Sequence, residues 1–204
     1  MTTTHPLVIA LVVGISAYLL FLWISDFRSP DTGEDIGGRL PGAVPCGWTP
    51  IYVGVLGALV LLGLETGGEY CLDSAAHQTD VTVSYLPLMM AAAFTEELIF
   101  RGYIVITDRG RSPLVASIVG ASLLFALLHP YLWEWGEQGV VLHITGGAML
   151  TTGAMFAKSV WFYAVRFFPL NPTRSLLPCI IAHLVSNVGV FVIKAVQGHV
   201  VGWM

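Results

Sequence analysis

Charge is what this chain has least of. Of its 204 residues, nine are Lys or Arg and thirteen are Asp or Glu, 11% in all, where soluble domains carry roughly 25%. A soluble globule of this size needs a charged shell that so few side chains cannot supply. The net charge of −4 is also of the wrong sign for a nucleic-acid-binding face. With 55% hydrophobic residues, the chain is no disordered segment either. Cysteine is equally scarce. Cys46, Cys71 and Cys179 are odd in number, far apart and without a CxxC pair, which argues against a disulfide scaffold and against a thiolate metal site. There is no internal repeat and no low-complexity tract.

What the chain has instead is long apolar runs, and its mean hydropathy is +0.76. A spanning helix needs roughly 20 mostly apolar residues. Six stretches qualify or nearly so: Leu7–Trp23, Tyr52–Leu64, Leu86–Ile106, Leu114–His129, Val140 to about Val165, and Leu176–Val196. The first is read as a retained span, because Met1–Leu7 has no Lys or Arg and no small-x-small cleavage site follows. The expected fold is an all-α polytopic membrane protein, a bundle of about six to eight transmembrane helices around a polar intramembrane cavity. It is read as one membrane domain over 1–204, with 86–196 as its core and 1–85 as two N-terminal spans of unassigned role. Ser25–Pro50, rich in Gly, Pro and charge, reads as a loop.

The basic residues set an orientation. Arg28 and Arg39, Arg109 and Arg111, and Arg166 and Arg174 fall in alternate loops. The intervening Glu65–Tyr85 and Tyr131–Gly139 hold acids but no Lys or Arg. The positive-inside rule then puts the three basic loops in the cytoplasm and both termini outside. Trp23, Trp48, Tyr131, Trp133, Trp135 and Trp203 near the segment ends read as an aromatic belt. The compact size points to a bacterial or archaeal plasma membrane.

Several residues do not belong in lipid. Glu96 and Glu97 lie about 15 Å into the third span at 1.5 Å per residue. With Arg101, three unpaired charges there would cost on the order of 7–10 kcal/mol. Glu97 and Arg101, four apart, share a helix face and can pair; Glu96 points about 100° away. An ion-pair knot joining helices is one reading of these three, and a functional site is the other. The fourth span ends with Phe125 and His129 one turn apart, and a histidine at a helix end also suits the helix dipole. His183 and Asn187 share one face of the sixth span. They can hydrogen-bond a neighbouring helix or aim two donors at one spot, as an oxyanion site requires. Three spans thus carry polar groups that must converge inside the bundle or line a wet cavity, and two carboxylates with two imidazoles are parts for hydrolysis by an activated water. Laid out as straight spans, Glu96 sits at mid-depth, His183 about 10 Å from the inner face and His129 near the outer end. His143 opens the fifth span near the outer interface and is read as an interface residue, with lining the same cavity as the alternative. Lys158 and Lys194 are expected to snorkel, and Gly146, Gly147 and Gly153 to permit close helix packing. His5, His77 and His199 read as solvent or interface residues.

Glu96-Glu97-x-x-x-Arg101, then Phe125-x-x-x-His129, then His183-x-x-x-Asn187, in that order on successive spans, resembles the CPBP intramembrane proteases. These include the type II CAAX prenyl endopeptidases and bacterial proteins linked to bacteriocin self-immunity. The resemblance covers Leu86 to Val196. It implies an intramembrane endopeptidase of glutamic type acting on a membrane-associated protein, C-terminally anchored or lipidated ends being the natural targets. By position, Glu96 and His129 would activate water, Glu97 would support the site and pair with Arg101, Phe125 would be a further supporting residue, and His183 with Asn187 would stabilise the oxyanion. No cofactor is required on this reading; zinc held by Glu96, His129 and His183 is the minority alternative, against which stands the lack of HExxH. The expected partners are the substrate and the bilayer, with no nucleic acid. The competing class is a non-enzymatic membrane protein, an immunity factor or small ion carrier, whose polar cluster binds a cation or packs helices. Such a carrier has no need for a histidine and an asparagine one turn apart.

Overall fold

The computed structural model describes residues 6–29 and 39–203. His5, the side chain of His77, and 30–38 of the Ser25–Pro50 loop lie outside the described residues. Six long helical segments account for most of the chain: α1 (Pro6–Arg28), α2 (Trp48–Cys71), α3 (Tyr85–Glu96), α4 (Arg111–Leu128), α5 (Gly146–Phe167) and α6 (Leu177–Val196). By length and composition α1, α2, α4 and α6 are apolar enough to cross a membrane. Helix is the form lipid demands, since each backbone N–H and C=O must be satisfied within its own segment. Local signals place the ends. Pro178 sits in the first turn of α6, and Gly110, with φ of 91°, precedes α4 in a conformation that side chains rarely adopt.

The third span is not one regular helix. α3 passes into a π-helical turn, Glu97–Tyr103, that carries both Glu97 and Arg101. Such turns occur frequently at functional sites. The Tyr163 hydroxyl donates to the Phe100 carbonyl at 2.6 Å and lies 3.1 Å from that of Ile104, satisfying backbone that the altered pitch leaves open.

α2 is the hub, packed along α5 and α6; α3 joins α1 to α6, and α4 lies on α5. Where α2 meets α5, Gly57 faces the Trp161 ring with no room for a methyl, and the Trp161 indole donates to the Gly54 carbonyl at 3.0 Å. One buried cluster includes Trp23, Phe94, Leu98, Phe162 and Ile180; a second holds Phe100, Ala121, Phe125 and Tyr163.

Six expectations need correction. The fifth span does not begin at Val140. Residues 133–142 instead form a two-stranded antiparallel hairpin, β1 (Trp133–Gly136) and β2 (Gly139–Leu142), because Gly136 and Gly139 flank a two-residue turn. His143 belongs to this exposed region, 3.0 Å from Glu134, and opens no helix. Glu65 lies inside α2 rather than in a loop, since the helix continues to Cys71. Lys158 does not snorkel: it is buried and paired with Glu65 across the α2–α5 contact. Trp23 is core rather than belt. It is 3% exposed, stacks on Phe27 and donates to the Pro41 carbonyl at 3.2 Å. Trp48, Trp135 and Trp203 are exposed. Among the glycines of α5, Gly147 approaches Ser74 closely, whereas Gly153 faces open space.

Candidate active site

The site is built where α3 enters its π-helical turn. Glu97 and Arg101 are both fully buried and form an ion pair at 3.1 Å. A buried pair survives only with further partners, and Arg101 has them. Its Nη2 donates to Ser159 Oγ at 2.8 Å, and Ser159 bonds Ser122 at 3.0 Å. The guanidinium lies 4.7 Å from the Phe125 ring, 5.1 Å from Tyr163 and 5.3 Å from Phe162, within cation–π range. Ser122, Ser159, Phe162 and Tyr163 were not singled out from the sequence, because a lone serine or aromatic in an apolar span carries no signal of its own.

α6 brings His183 against both glutamates. Its Nδ1 lies 2.8 Å from Glu97 Oε1, and its Nε2 lies 3.7 Å from Glu96 Oε2. The imidazole stacks on Phe162, with centroids 5.1 Å apart, and meets Phe125 edge-on at 6.2 Å. Glu96 is the accessible member of the set: its side chain is 29% exposed against 0% for Glu97. One turn along α6, Asn187 Nδ2 donates to the Met89 carbonyl on α3 at 2.9 Å, which leaves its second amide hydrogen free to point elsewhere.

His129 sits immediately after α4 and makes no hydrogen bond to these groups. Its Nδ1 lies 2.8 Å from the Phe125 carbonyl. A carbonyl only accepts, so Nδ1 carries the proton in this contact and Nε2 is left to face elsewhere. The ring packs on Phe125 at 4.7 Å and parallel to Tyr131 at 6.3 Å. Phe125 therefore touches His129, His183 and Arg101 at once, and it links the three motifs.

A cavity of about 420 Å³ opens between α2, α3, α5 and α6. Glu96, His129 and His183 are not among its walls. It adjoins them through Met89, the acceptor of Asn187, and through Tyr85 and Tyr131. Tyr131 is a residue that sequence reading placed only in the belt. Its side chain lines the cavity while the residue as a whole is partly exposed. Burial, with Tyr85, Glu65, Glu69 and Glu96 nearby, pushes that phenol well above its usual value, so it remains a neutral donor. On the far wall Glu69 accepts from Gln78 at 2.7 Å, and Lys194 donates to the Thr79 carbonyl at 2.8 Å.

Among the described residues no group of three or more His, Cys, Asp or Glu side chains is placed to hold a metal ion, and His183 Nδ1 is turned to Glu97.

The fold and the cluster define a helical integral membrane protein with a cluster of ionisable side chains inside its bundle. The chain belongs to the Rce1-like family of type II CAAX prenyl endopeptidases, whose family model matches residues 78–189. That stretch takes in every residue of the cluster, from Glu96 to Asn187, and leaves out α1 and α2. No curated protein and no solved structure matches the chain. The family is one of CAAX-type intramembrane proteases, which favours a protease over the carrier alternative.

Proposed function

We propose that this protein hydrolyses a peptide bond of a membrane-associated protein by an activated water, and that Glu96 is the general base. The observation that carries the reading is His183 held between Glu97 and Glu96. Glu97, neutralised by Arg101, orients the ring; Glu96 is the carboxylate left open to the solvent side.

In the proposed reaction, water is held between Glu96 and the Nε2 lone pair of His129. Glu96 takes its proton as the oxygen attacks the scissile carbonyl. His183, with both nitrogens protonated, gives Nδ1–H to Glu97 and Nε2–H to the developing oxyanion, and the free Asn187 hydrogen adds a second donor. The charges of Glu96, Glu97, Arg101 and His183 then sum to zero before reaction, which suits a low-dielectric interior. The proton held by Glu96 passes to the leaving amine as the C–N bond breaks. No metal enters this sequence.

Substrate selection rests on membrane presentation, since the loops are short, and a C-terminally anchored or lipidated protein is the expected target. With the Arg109–Arg111 loop cytoplasmic, the His129 end faces the opposite side of a bacterial or archaeal plasma membrane.

The test is cleavage of an anchored peptide by purified protein in detergent. Wild type is expected to cut, with and without a strong chelator, and Glu96→Gln and His183→Ala to be inactive yet folded. Loss of wild-type activity in chelator would replace the glutamate mechanism by a metal-dependent one. Retained activity in both variants would move the site elsewhere.

A further inference from the structure

The hairpin that follows His129 has two unlike faces. In an antiparallel pair, residues directly opposite share a face and successive residues alternate. Trp133 opposes Leu142 and Trp135 opposes Val140, so one face carries two indoles, a valine and a leucine. The indoles touch, with centroids 6.0 Å apart. Glu134 and Val141 occupy the other face, where Glu134 pairs with His143 at 3.0 Å. A solvated hairpin hides its apolar face on the protein. Here Trp135, Val140 and Leu142 are 76%, 53% and 66% exposed.

The apolar face continues the exposed apolar surface of α4. α4 is a candidate span whose Val115, Val119, Leu123 and Leu127 form an exposed row at four-residue spacing. Trp133 Nε1 donates to the Leu127 carbonyl at 2.7 Å. This bond docks the apolar face of the hairpin at the end of that row.

We propose that the hairpin Trp133–Leu142 lies flat in the bilayer interface at its end of the bundle, with Trp133, Trp135, Val140 and Leu142 among the upper acyl chains and Glu134 facing the headgroups. The occupant of the surface is phospholipid. Indoles suit that depth, since one edge is apolar and the other donates. The consequence for the site is positional. Tyr131, which stacks on His129, leads straight into β1, so the membrane anchors the end of α4 that presents His129. The proposal rests on α4 being a span and not on the proposed hydrolysis.

The test places an environment-sensitive NBD fluorophore at single cysteines in protein reconstituted into phosphatidylcholine vesicles. Cys46→Ser and Cys71→Ser remove the accessible thiols, while Cys179 is fully buried and remains unlabelled. Labels at Trp135→Cys and Val140→Cys are expected to emit blue-shifted. Doxyl-labelled lipid should quench them at least twofold more strongly than aqueous iodide. Labels at Val141→Cys and Glu137→Cys should show the reverse preference. Iodide quenching at Trp135 and Val140 equal to that at Glu137 would overturn the proposal by placing the hairpin in water. Protection from both quenchers would overturn it by placing the face against protein. Val140 and Val141 neighbour each other on β2, so a hairpin melted by substitution shows itself as loss of their difference while Trp133 fluorescence shifts red. Unlabelled wild type compared with Trp133→Phe/Trp135→Phe, read as the difference in tryptophan quenching by doxyl-labelled lipid and by iodide, then decides the question. An otherwise identical set carrying Glu96→Gln is expected to give the same pattern, which separates this inference from the catalytic one.

Discussion

His183 Nδ1 lies 2.8 Å from Glu97 Oε1, joining residues 86 positions apart. That contact orients the imidazole through Nδ1 and turns Nε2 towards Glu96, 3.7 Å away. On the proposed mechanism Glu97, buried and paired with Arg101, positions the ring, and the more exposed Glu96 is the base.

Removing the ring of His129 tests the water-holding role. His129→Ala is expected to lower kcat on the anchored peptide by about 10²–10⁴-fold, the usual worth of a positioned acid or base. KM should change little, because His129 is not itself among the walls of the cavity. Steady-state kinetics at matched protein folding check this. A large rise in KM with kcat intact would contradict it.

Arg101→Met strands the Glu97 carboxylate in a site with no solvent access. Breaking a buried pair costs about 3–5 kcal/mol, so thermal unfolding in detergent should move sharply down. Glu97→Gln added to Arg101→Met should recover much of that stability. Activity is expected to stay lost in the double variant, since His183 Nδ1 no longer faces a carboxylate that orients the ring. Recovery of both together would show that the pair is only structural.

The Glu65–Lys158 pair offers the opposite split. Lys158→Met alone is expected to destabilise by about 3–5 kcal/mol, and Glu65→Gln with Lys158→Met to recover most of the loss. Peptide cleavage by the double variant should remain near wild type, because neither residue belongs to the proposed proton path. Thermal melts with the peptide assay decide between this and a catalytic part for the pair.

Gly57→Ala adds a methyl where the Trp161 ring already lies. Overpacking of this kind costs about 1–3 kcal/mol, and the Trp161 bond to the Gly54 carbonyl should be lost with it. A lowered melting temperature is the expected result, with a red shift in tryptophan emission. Gly63→Ala, which meets nothing within 4 Å, is the matched control and should leave the melting temperature unchanged.

What the sequence by itself determined was the solvent and the ingredients. Low charge and long apolar runs allow only a polytopic membrane chain, because lipid rejects unpaired polar groups at a high free-energy cost. The same rejection made Glu96, Glu97, Arg101, His129, His183 and Asn187 conspicuous, and the four-residue spacing of Glu97 and Arg101 already contained their pairing. Tertiary structure alone decided partners between distant segments and depth. Whether Lys158 snorkels or is buried depends on Glu65 lying opposite it, 93 positions away, and helical periodicity within one segment is blind to that. Trp23 reads as a belt residue until Phe94 and Pro41 close over it. The run from Val140 is apolar enough for a helix, yet Gly136 and Gly139 let it pair with Trp133–Gly136, and apolarity alone does not distinguish strand from helix in a stretch that short. The placing of His183 between two adjacent glutamates is of the same kind: it requires α6 to cross α3 at its π-helical turn, a packing that neither helix encodes by itself.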